Sequence, residues 1–337
     1  MAIVLSSCDS TIHFYPEEPE PPKPKTLLIL NLKHEQSLPL YKNLIIQAPG
    51  ARSRQEPLWD VRHIVKLYPL SDTNGKRSSS RGEPFTYIFT HDYDPLSHDS
   101  HLELEVPAGE YDVRVWTDYV LDGHVNDFRY LTSDFASITV SEPHYGCSDS
   151  GEAYKGEVTA TVLEYQTTEK DVDMTRPMAR FRFIATDIRE FAEQLNQAGN
   201  SRGDNPDNAP GRSVNPDDYH IVFRYSGYMP CTYNMFIDHP TNSRVGVNFS
   251  GQMVSLSDEE MELGHDYCFT NGKETSVDVA VDVYDREGTL LASSPSVNVP
   301  LLRGHLTEIR GRFLTMRTTG GVSISPGYNG NINIEIK

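Results

Sequence analysis

Residues 111–119 read YDVRVWTDY, a segment in which the odd-numbered positions from Tyr111 to Tyr119 would share one face of an extended chain. The even-numbered positions would share the other face and carry most of the charge. The same period of two recurs in three later segments, at residues 179–185, 277–284 and 331–336. Clean alternation is typical of antiparallel sheets with one solvated face. The sequence therefore predicts an all-β protein built from β-sandwiches.

Two segments depart from this simple alternation. Thr26–Leu32 reads TLLILNL and is apolar at odd and even positions alike, so we expect a strand covered on both sides. Residues 187–198 read DIREFAEQLNQA and predict the one short helix. Asp187 stands at the N-cap position, and Ile188, Phe191 and Leu195 fall on one face.

Length and charge narrow the classes of protein. A chain of 337 residues favours two domains. We predict sandwiches at residues 26–168 and 169–337, because the polar segment QTTEKDVDM at 166–174 separates two alternating strands. The formal net charge of −18 makes nucleic acid an unfavourable partner, because like charges repel.

The N-terminal segment resembles a lipoprotein signal. Leu5, Ser6 and Ser7 precede Cys8 as small or apolar residues precede the cysteine of a lipobox. Only seven residues precede Cys8 and none is basic, so we expect a truncated or misassigned start. Residues 1–8 are then the signal remnant with lipidated Cys8, and residues 9–25, rich in Pro and Glu, are a stiff tether. The alternative is that Cys8 is an ordinary thiol.

The sequence contains no P-loop, no dinucleotide fingerprint and no HExxH zinc pattern, so we predict that the protein is not an enzyme. The segment HDYDPLSHDSH at residues 91–101 is rich in His and Asp, but its spacing matches no defined metal motif. We predict no metal and no cofactor.

The remaining candidate residues are a short triplet and two cysteines. Arg202, Gly203 and Asp204 form an RGD triplet in a polar loop, which is a weak adhesion motif. Cys231 and Cys268 could form a disulfide in an oxidising compartment, or both could be buried free thiols. The sequence leaves these two alternatives open.

Three segments resemble the fimbrillin-like lipoproteins of Bacteroidetes, which include fimbrial stalk, anchor and tip subunits. They are ELEVPAGEYDVRVWTDY at 103–119, RPMARFRFIATD at 176–187 and VPLLRGHLTEIRGRFLT at 299–315. The resemblance implies two tandem transthyretin-like β-sandwiches, export as a lipoprotein and assembly into surface fimbriae.

The resemblance also implies a way of assembly. In stalk subunits a trypsin-like protease cuts after an arginine and removes the N-terminal strand, so that a neighbour's strand can replace it. Here TLLILNL would be the replaced strand, and Arg52 and Arg54 are the candidate cleavage points. NINIEIK at residues 331–337 reads either as a donor strand or as an integral strand, and the second reading would favour an anchor or accessory subunit.

These observations together predict a fimbrial subunit-like lipoprotein at the outer membrane and cell surface. Its partners would be other fimbrial subunits, and its lipid would sit on Cys8. The alternative is an adhesin that binds glycans or host proteins, for which exposed aromatic side chains around Tyr225, Tyr228 and Tyr233 would form the platform.

Overall fold

The computed structural model describes residues 25–35, 59–70, 83–92, 99–200, 214–272, 275–316 and 332–336. Strands make up most of these ranges, and a single α-helix, α1 at Ile188–Asn200, lies among them. The predicted all-β class and the short helix are confirmed. In the part of the chain that is described, no helix has the length and apolar composition needed to cross a bilayer.

Seven of the first nine strands form two N-terminal sheets. Their bounds are β1 Leu27–His34, β2 Trp59–Pro69, β3 Phe85–Asp92, β4 Asp99–Glu105, β5 Gly109–Leu121, β6 Tyr130–Leu131, β7 Ile138–Val140, β8 Tyr154–Val162 and β9 Thr167–Met174. One sheet has the order β4-β1-β9 and a second has the order β3-β2-β5-β8. Aliphatic side chains from both sheets meet in one buried cluster, so the two sheets pack face to face.

Ten of the twelve later strands form two C-terminal sheets. Their bounds are β10 Met178–Ala185, β11 Tyr219–Tyr225, β12 Met229–Asn234, β13 His239–Arg244, β14 Asn248–Gly251, β15 Val254–Ser255, β16 Met261–Phe269, β17 Thr275–Asp285, β18 Leu290–Ser293, β19 Val297–Leu301, β20 Leu306–Gly311 and β21 Ile332–Ile336. One sheet has the order β15-β16-β10-β20-β21, and the other has the order β14-β11-β17-β18 with β19 also on β17. The cluster between them contains aromatic rings, including Phe181, Phe183, Phe223 and Phe313, among aliphatic side chains.

A third cluster draws residues from both halves of the chain. Trp116, Phe135, Tyr233 and Phe269 are among its buried members. A small sheet with the order β13-β12-β7-β6 likewise pairs strands from the two halves. This cluster buries the second face of β5 at Trp116, where alternation alone predicts a solvated face. The division into two domains stays a prediction.

The structure differs from the sequence expectation at two polar sites. The segment at residues 166–174, expected to separate two strands at the domain boundary, is itself mostly strand β9, so the proposed boundary after residue 168 falls inside a strand. Asp187 precedes α1 as predicted, but its carboxylate accepts hydrogen bonds from the backbone N of Leu314 and Thr315, not from the first turn of the helix. Strand β9 and Asp187 each connect parts of the chain that are far apart in sequence.

Candidate functional site

Strand β1 lies between β4 and β9 and joins them into one sheet. It runs antiparallel to β4, with Leu30 opposite Leu102, and parallel to β9, with Leu30 opposite Lys170. Within the described ranges no ladder connects β4 directly to β9. The backbone hydrogen bonds of β1 therefore hold these two strands in a single sheet.

The inner face of β1 is fully buried. Leu28, Leu30 and Leu32 each have 0 % exposure. They pack against both neighbouring strands and against the opposite sheet, through Leu102, Leu104, Val172, Met174, Val65, Leu67, Val113 and Val115. Burial of a leucine side chain stabilises the folded state by roughly 1.5–3 kcal/mol. Strand β1 thus fills a slot that has apolar walls and two strand edges.

The outer face of β1 is only partly covered. Leu27, Ile29 and Asn31 are half-buried, and Lys33 is exposed. The expectation that this strand is covered on both sides is therefore wrong for its outer face. That face is flanked by the charged outer positions of β4 and β9, and no second layer of described residues packs on it.

Polar contacts tie the outer face of β1 to β9. Asn31 Nδ2 donates to Glu169 Oε1 at 2.7 Å, and Lys33 Nζ lies 2.5 Å from Asp171 Oδ2. Asn31 also donates to Asp171, and the hydrogen bonds from Lys33 and Asn31 hold the pKa of Asp171 below its ordinary value. Because residues 166–174 were expected to be a polar segment between two strands, sequence reasoning missed these carboxylates. The inward Val172 and Met174, two positions apart, were the available signal of a strand.

Buried Arg176 fixes the end of β1. Its backbone N donates to Glu35 Oε2 at 3.2 Å, while Glu35 N donates to Met174 O at 2.7 Å. The guanidinium also donates to Glu152 at 2.6 Å and to the Tyr154 hydroxyl at 2.7 Å. Arg176 opens one of the three resembling segments, but the sequence did not single it out.

Three histidines lie near the same end. The His34 ring centroid is 6.0 Å from that of His63, and His63 Nε2 is 3.1 Å from His91 Nε2. His91 Nδ1 donates to the Asp92 carbonyl, so in the neutral state its Nε2 accepts from His63. The other His63 nitrogen then accepts from Thr117 Oγ1 at 2.8 Å. Burial and the two neighbouring histidines lower the pKa of His63 to about 3, so the imidazole is neutral.

Strand β21 occupies the edge of the C-terminal sheet. It runs parallel to β20, with Ile334 opposite Ile309. Ile309 is fully buried in the C-terminal cluster. NINIEIK, left open between a donor strand and an integral strand, is thus paired within the sheet of its own chain.

Several predicted site residues lie outside the described residues. These are Cys8, Arg52, Arg54, Arg202, Gly203 and Asp204. The readings of a lipidated cysteine, of cleavage points and of an adhesion triplet therefore stay predictions.

The two candidate disulfide partners are free thiols. Cys231 lies on β12 and Cys268 on β16, and both are buried. Cys268 Sγ lies 3.1 Å from the hydroxyl of buried Tyr225, and burial raises the pKa of this thiol well above its ordinary value. The structure therefore corrects the disulfide alternative in favour of buried thiols, each packed in its own strand.

The candidate glycan platform is not assembled. Tyr228 is 74 % exposed, but Tyr225 and Tyr233 have 3 % and 0 % exposure and face inward. For the histidine-rich segment at 91–101, residues 93–98 lie outside the description. In the described residues, no group of three or more His, Cys, Asp or Glu is arranged to hold a metal ion.

The fold and this site define a class: an all-β protein of stacked sheets in which one N-terminal strand closes a sheet between two edge strands. The chain belongs to DUF6562, a family of unknown function, whose model matches residues 30–337. No curated protein matches the chain.

Solved structures of Bacteroidetes surface proteins are similar over most of the chain. The fimbrial anchor protein Mfa2 from Porphyromonas gingivalis is 11% identical, covers 80% of this chain and 82% of its own, and has a TM-score of 0.32. A fimbrial assembly protein from Parabacteroides distasonis is 9% identical, with 85% and 90% covered and a TM-score of 0.35. A proposed cell adhesion protein from Bacteroides ovatus is 9% identical, with 85% and 92% covered and a TM-score of 0.40. At these values the likenesses define neither a fold nor a function for this chain.

Proposed function

We propose that the protein is a fimbrial subunit-like lipoprotein of the outer membrane, an anchor or assembly accessory that pairs with other subunits through β-strands. It acts by binding and not by catalysis. The arrangement of β1 carries the proposal, because this strand fills an apolar slot between two strand edges that have no other sheet partner among the described residues. A strand of another subunit that displaced β1 would inherit both ladders and the same apolar walls.

Because an empty slot would be unstable, we expect β1 to be replaced by another strand and not simply to leave. Departure of β1 uncovers the cavity that Leu28, Leu30 and Leu32 fill, and leaves the edges of β4 and β9 unpaired. Unpaired edges and exposed apolar walls favour capture of any complementary strand. Hydrolysis by a trypsin-like protease after Arg52 or Arg54 would free β1 together with the lipid on Cys8, so a cut chain would lose its lipid and an anchor would stay uncut.

Strand β21 favours the anchor or accessory role over the stalk role. In the structure this segment is hydrogen-bonded to β20 of its own chain. A segment that completes its own sheet is not available to a neighbour unless that pairing is broken. The protein would thus accept a strand and not donate this one.

A disulfide that locks β1 in place tests the exchange. Ile29 and Glu103 are opposite each other on the outer faces of β1 and β4, a spacing that suits a cross-strand disulfide. When mixed with its partner subunits, the oxidised Ile29→Cys/Glu103→Cys variant should stay monomeric, whereas the reduced variant should assemble.

The matched control is Val222→Cys/Ser250→Cys, which places the same kind of bridge between β11 and β14, away from β1. This variant should assemble in both redox states. Equal assembly of the oxidised β1 variant and its control would remove strand exchange at β1 from the proposal.

Membrane attachment is tested in cells. Cys8→Ala should release the protein from the membrane fraction, whereas Cys147→Ala, which changes a cysteine within the folded part of the chain, should not. Retention of the Cys8→Ala variant in membranes would contradict lipidation at this residue.

Crosslinking in intact cells identifies the partners. Capture from cells, with mass spectrometry of the partners and of the protein's own N-terminus, should recover other fimbrial subunits. Recovery with polysaccharide or host protein alone would favour the adhesin alternative. Of the three tyrosines proposed for its platform, two are buried in the structure.

A further inference from the structure

The outer positions of the two strands beside β1 are acidic. Along β4 the residues opposite the outward positions of β1 are Glu105, Glu103, His101 and Asp99, and along β9 they are Thr167, Glu169, Asp171 and Asp173. Carboxylates therefore line both sides of the outward half of the slot. They are exposed, so each acts mainly on a side chain placed directly between the two strands.

Strand β1 places an amide and an ammonium group beside these carboxylates. Asn31 lies between His101 and Asp171, donates to Asp171 at 3.2 Å and lies 2.9 Å from His101 Nδ1 through its own side-chain oxygen. Lys33 lies between Asp99 and Asp173 and pairs with Asp171. The seated strand thus combines apolar residues on its inward face with hydrogen-bond donors at two of its four outward positions, Asn31 and Lys33.

Carboxylates at the positions of Asn31 and Lys33 would be repelled by the carboxylates of β4 and β9. Like charges placed directly across from each other destabilise a strand pair, and here a neighbouring strand lies on both sides. The seated Asn31 and Lys33 contacts would be lost in the same change. The slot therefore discriminates between strands that share the same apolar pattern.

We propose that the slot around β1 selects a replacing strand by charge. Its occupant is a strand from another subunit with apolar residues at alternate positions, and with Asn, Lys or Arg at the outward positions that Asn31 and Lys33 now hold. This inference rests on the proposed strand exchange and names the chemistry of the partner strand.

The rule makes a second copy of this chain only a partial match. If the isoleucines at residues 332, 334 and 336 took the inward positions of Leu28, Leu30 and Leu32, Glu335 would take the position of Asn31, beside Asp171, and Lys337 would take the position of Lys33. The segment would meet the charge rule at one outward position and break it at the other, so we expect it to bind more weakly than β1.

Peptide exchange on the full-length chain tests the rule. A site for a sequence-specific protease is inserted after Ser53, the chain is cut, and fluorescent peptides compete with the released β1. The first peptide has the native sequence of residues 25–34. The second carries Asn31→Asp and Lys33→Glu, and the third carries Leu30→Asp as a control for insertion of the apolar face.

We expect the native peptide to enter and the Leu30→Asp peptide to stay out. The charge-reversed peptide should bind roughly tenfold more weakly, a difference that corresponds to about 1.4 kcal/mol. The difference should shrink in high salt, because exposed charges are screened. In a chain carrying Asp171→Lys, the preference for the native over the charge-reversed peptide should narrow or reverse. Asp258→Lys, an equal charge change at an exposed turn, should leave this preference unchanged.

The outcomes separate the two proposals. Entry of the native and charge-reversed peptides with equal affinity would overturn charge selection and leave strand exchange intact. Failure of every peptide to enter a fully cut chain would overturn strand exchange, and charge selection with it.

Discussion

Strands β1 and β21 both place aliphatic residues at alternate positions but have different positions in the fold. Among the described strands, β1 pairs on both sides, whereas β21 pairs with β20 alone. Loss of β1 would divide its sheet and open the N-terminal cluster, whereas loss of β21 would leave β20 as the new edge. The comparison teaches that the number of ladders, and not the apolar pattern, decides how much of the fold depends on a strand.

The largest expected effect comes from the inner face of β1. Leu30→Ala should lower the free energy of unfolding by about 3 kcal/mol, because it removes a fully buried side chain and leaves a cavity. Ile29→Ala, on the half-buried outer face, should cost clearly less. Urea unfolding measures both, and equal losses would show that β1 does not depend on its inner face.

Acid should weaken the region at the end of β1. The pKa of His63 is lowered from 6.5 to about 3, so between these values the unfolded chain binds a proton that the folded chain does not. Stability should therefore fall as the pH drops below 6.5, by about 2 kcal/mol at pH 5 from this group alone.

His63→Gln tests that origin, because glutamine can still form hydrogen bonds but does not titrate. Its unfolding free energy should vary less steeply between pH 6.5 and 5 than that of the unchanged protein. An identical pH dependence in both proteins would assign the acid sensitivity to other groups.

Removal of residues 332–337 should have a smaller effect than Leu30→Ala. Since β21 forms one ladder at a sheet edge, the shortened chain should keep the aromatic C-terminal cluster, and its urea midpoint should move less. Hydrogen exchange offers a second measure, in which the β21 amides of the full chain exchange before those of β1. Slower exchange in β21 would reverse the comparison.

The smallest expected effect concerns Lys33. Lys33→Ala removes an exposed ion pair with Asp171, so stability should fall slightly at low salt and not measurably at high salt. Thermal unfolding at two salt concentrations is the measurement. A loss that is independent of salt would indicate a packing role for the lysine stem instead.

Alternation in the sequence was sufficient to predict the fold class and several strands. The alternating segments at 111–119, 179–185 and 277–284 correspond to β5, β10 and β17, and the helix begins at Ile188, directly after Asp187. These elements were predictable because their inward residues repeat with a fixed local period.

The site was less predictable, because its contacts join residues far apart in the chain. Strand β9 carries only Val172 and Met174 as clear apolar signals, and its parallel partner β1 is more than a hundred residues away. The burial of Trp116, Tyr225 and Tyr233 depends on sheets that local patterns do not position. Arg176 and His63 matter because of the groups that surround them in space, which a single sequence does not reveal.

The covalent connection between β1 and the strands that follow it makes displacement a competition under mass action. While the chain is intact, β1 returns to its slot as an intramolecular competitor, at an effective concentration of the order of millimolar for short connections. A cut between β1 and β2 would turn that return into a second-order reaction with a diluted strand. One hydrolysed peptide bond could therefore give strand replacement its direction without altering a single contact inside the slot.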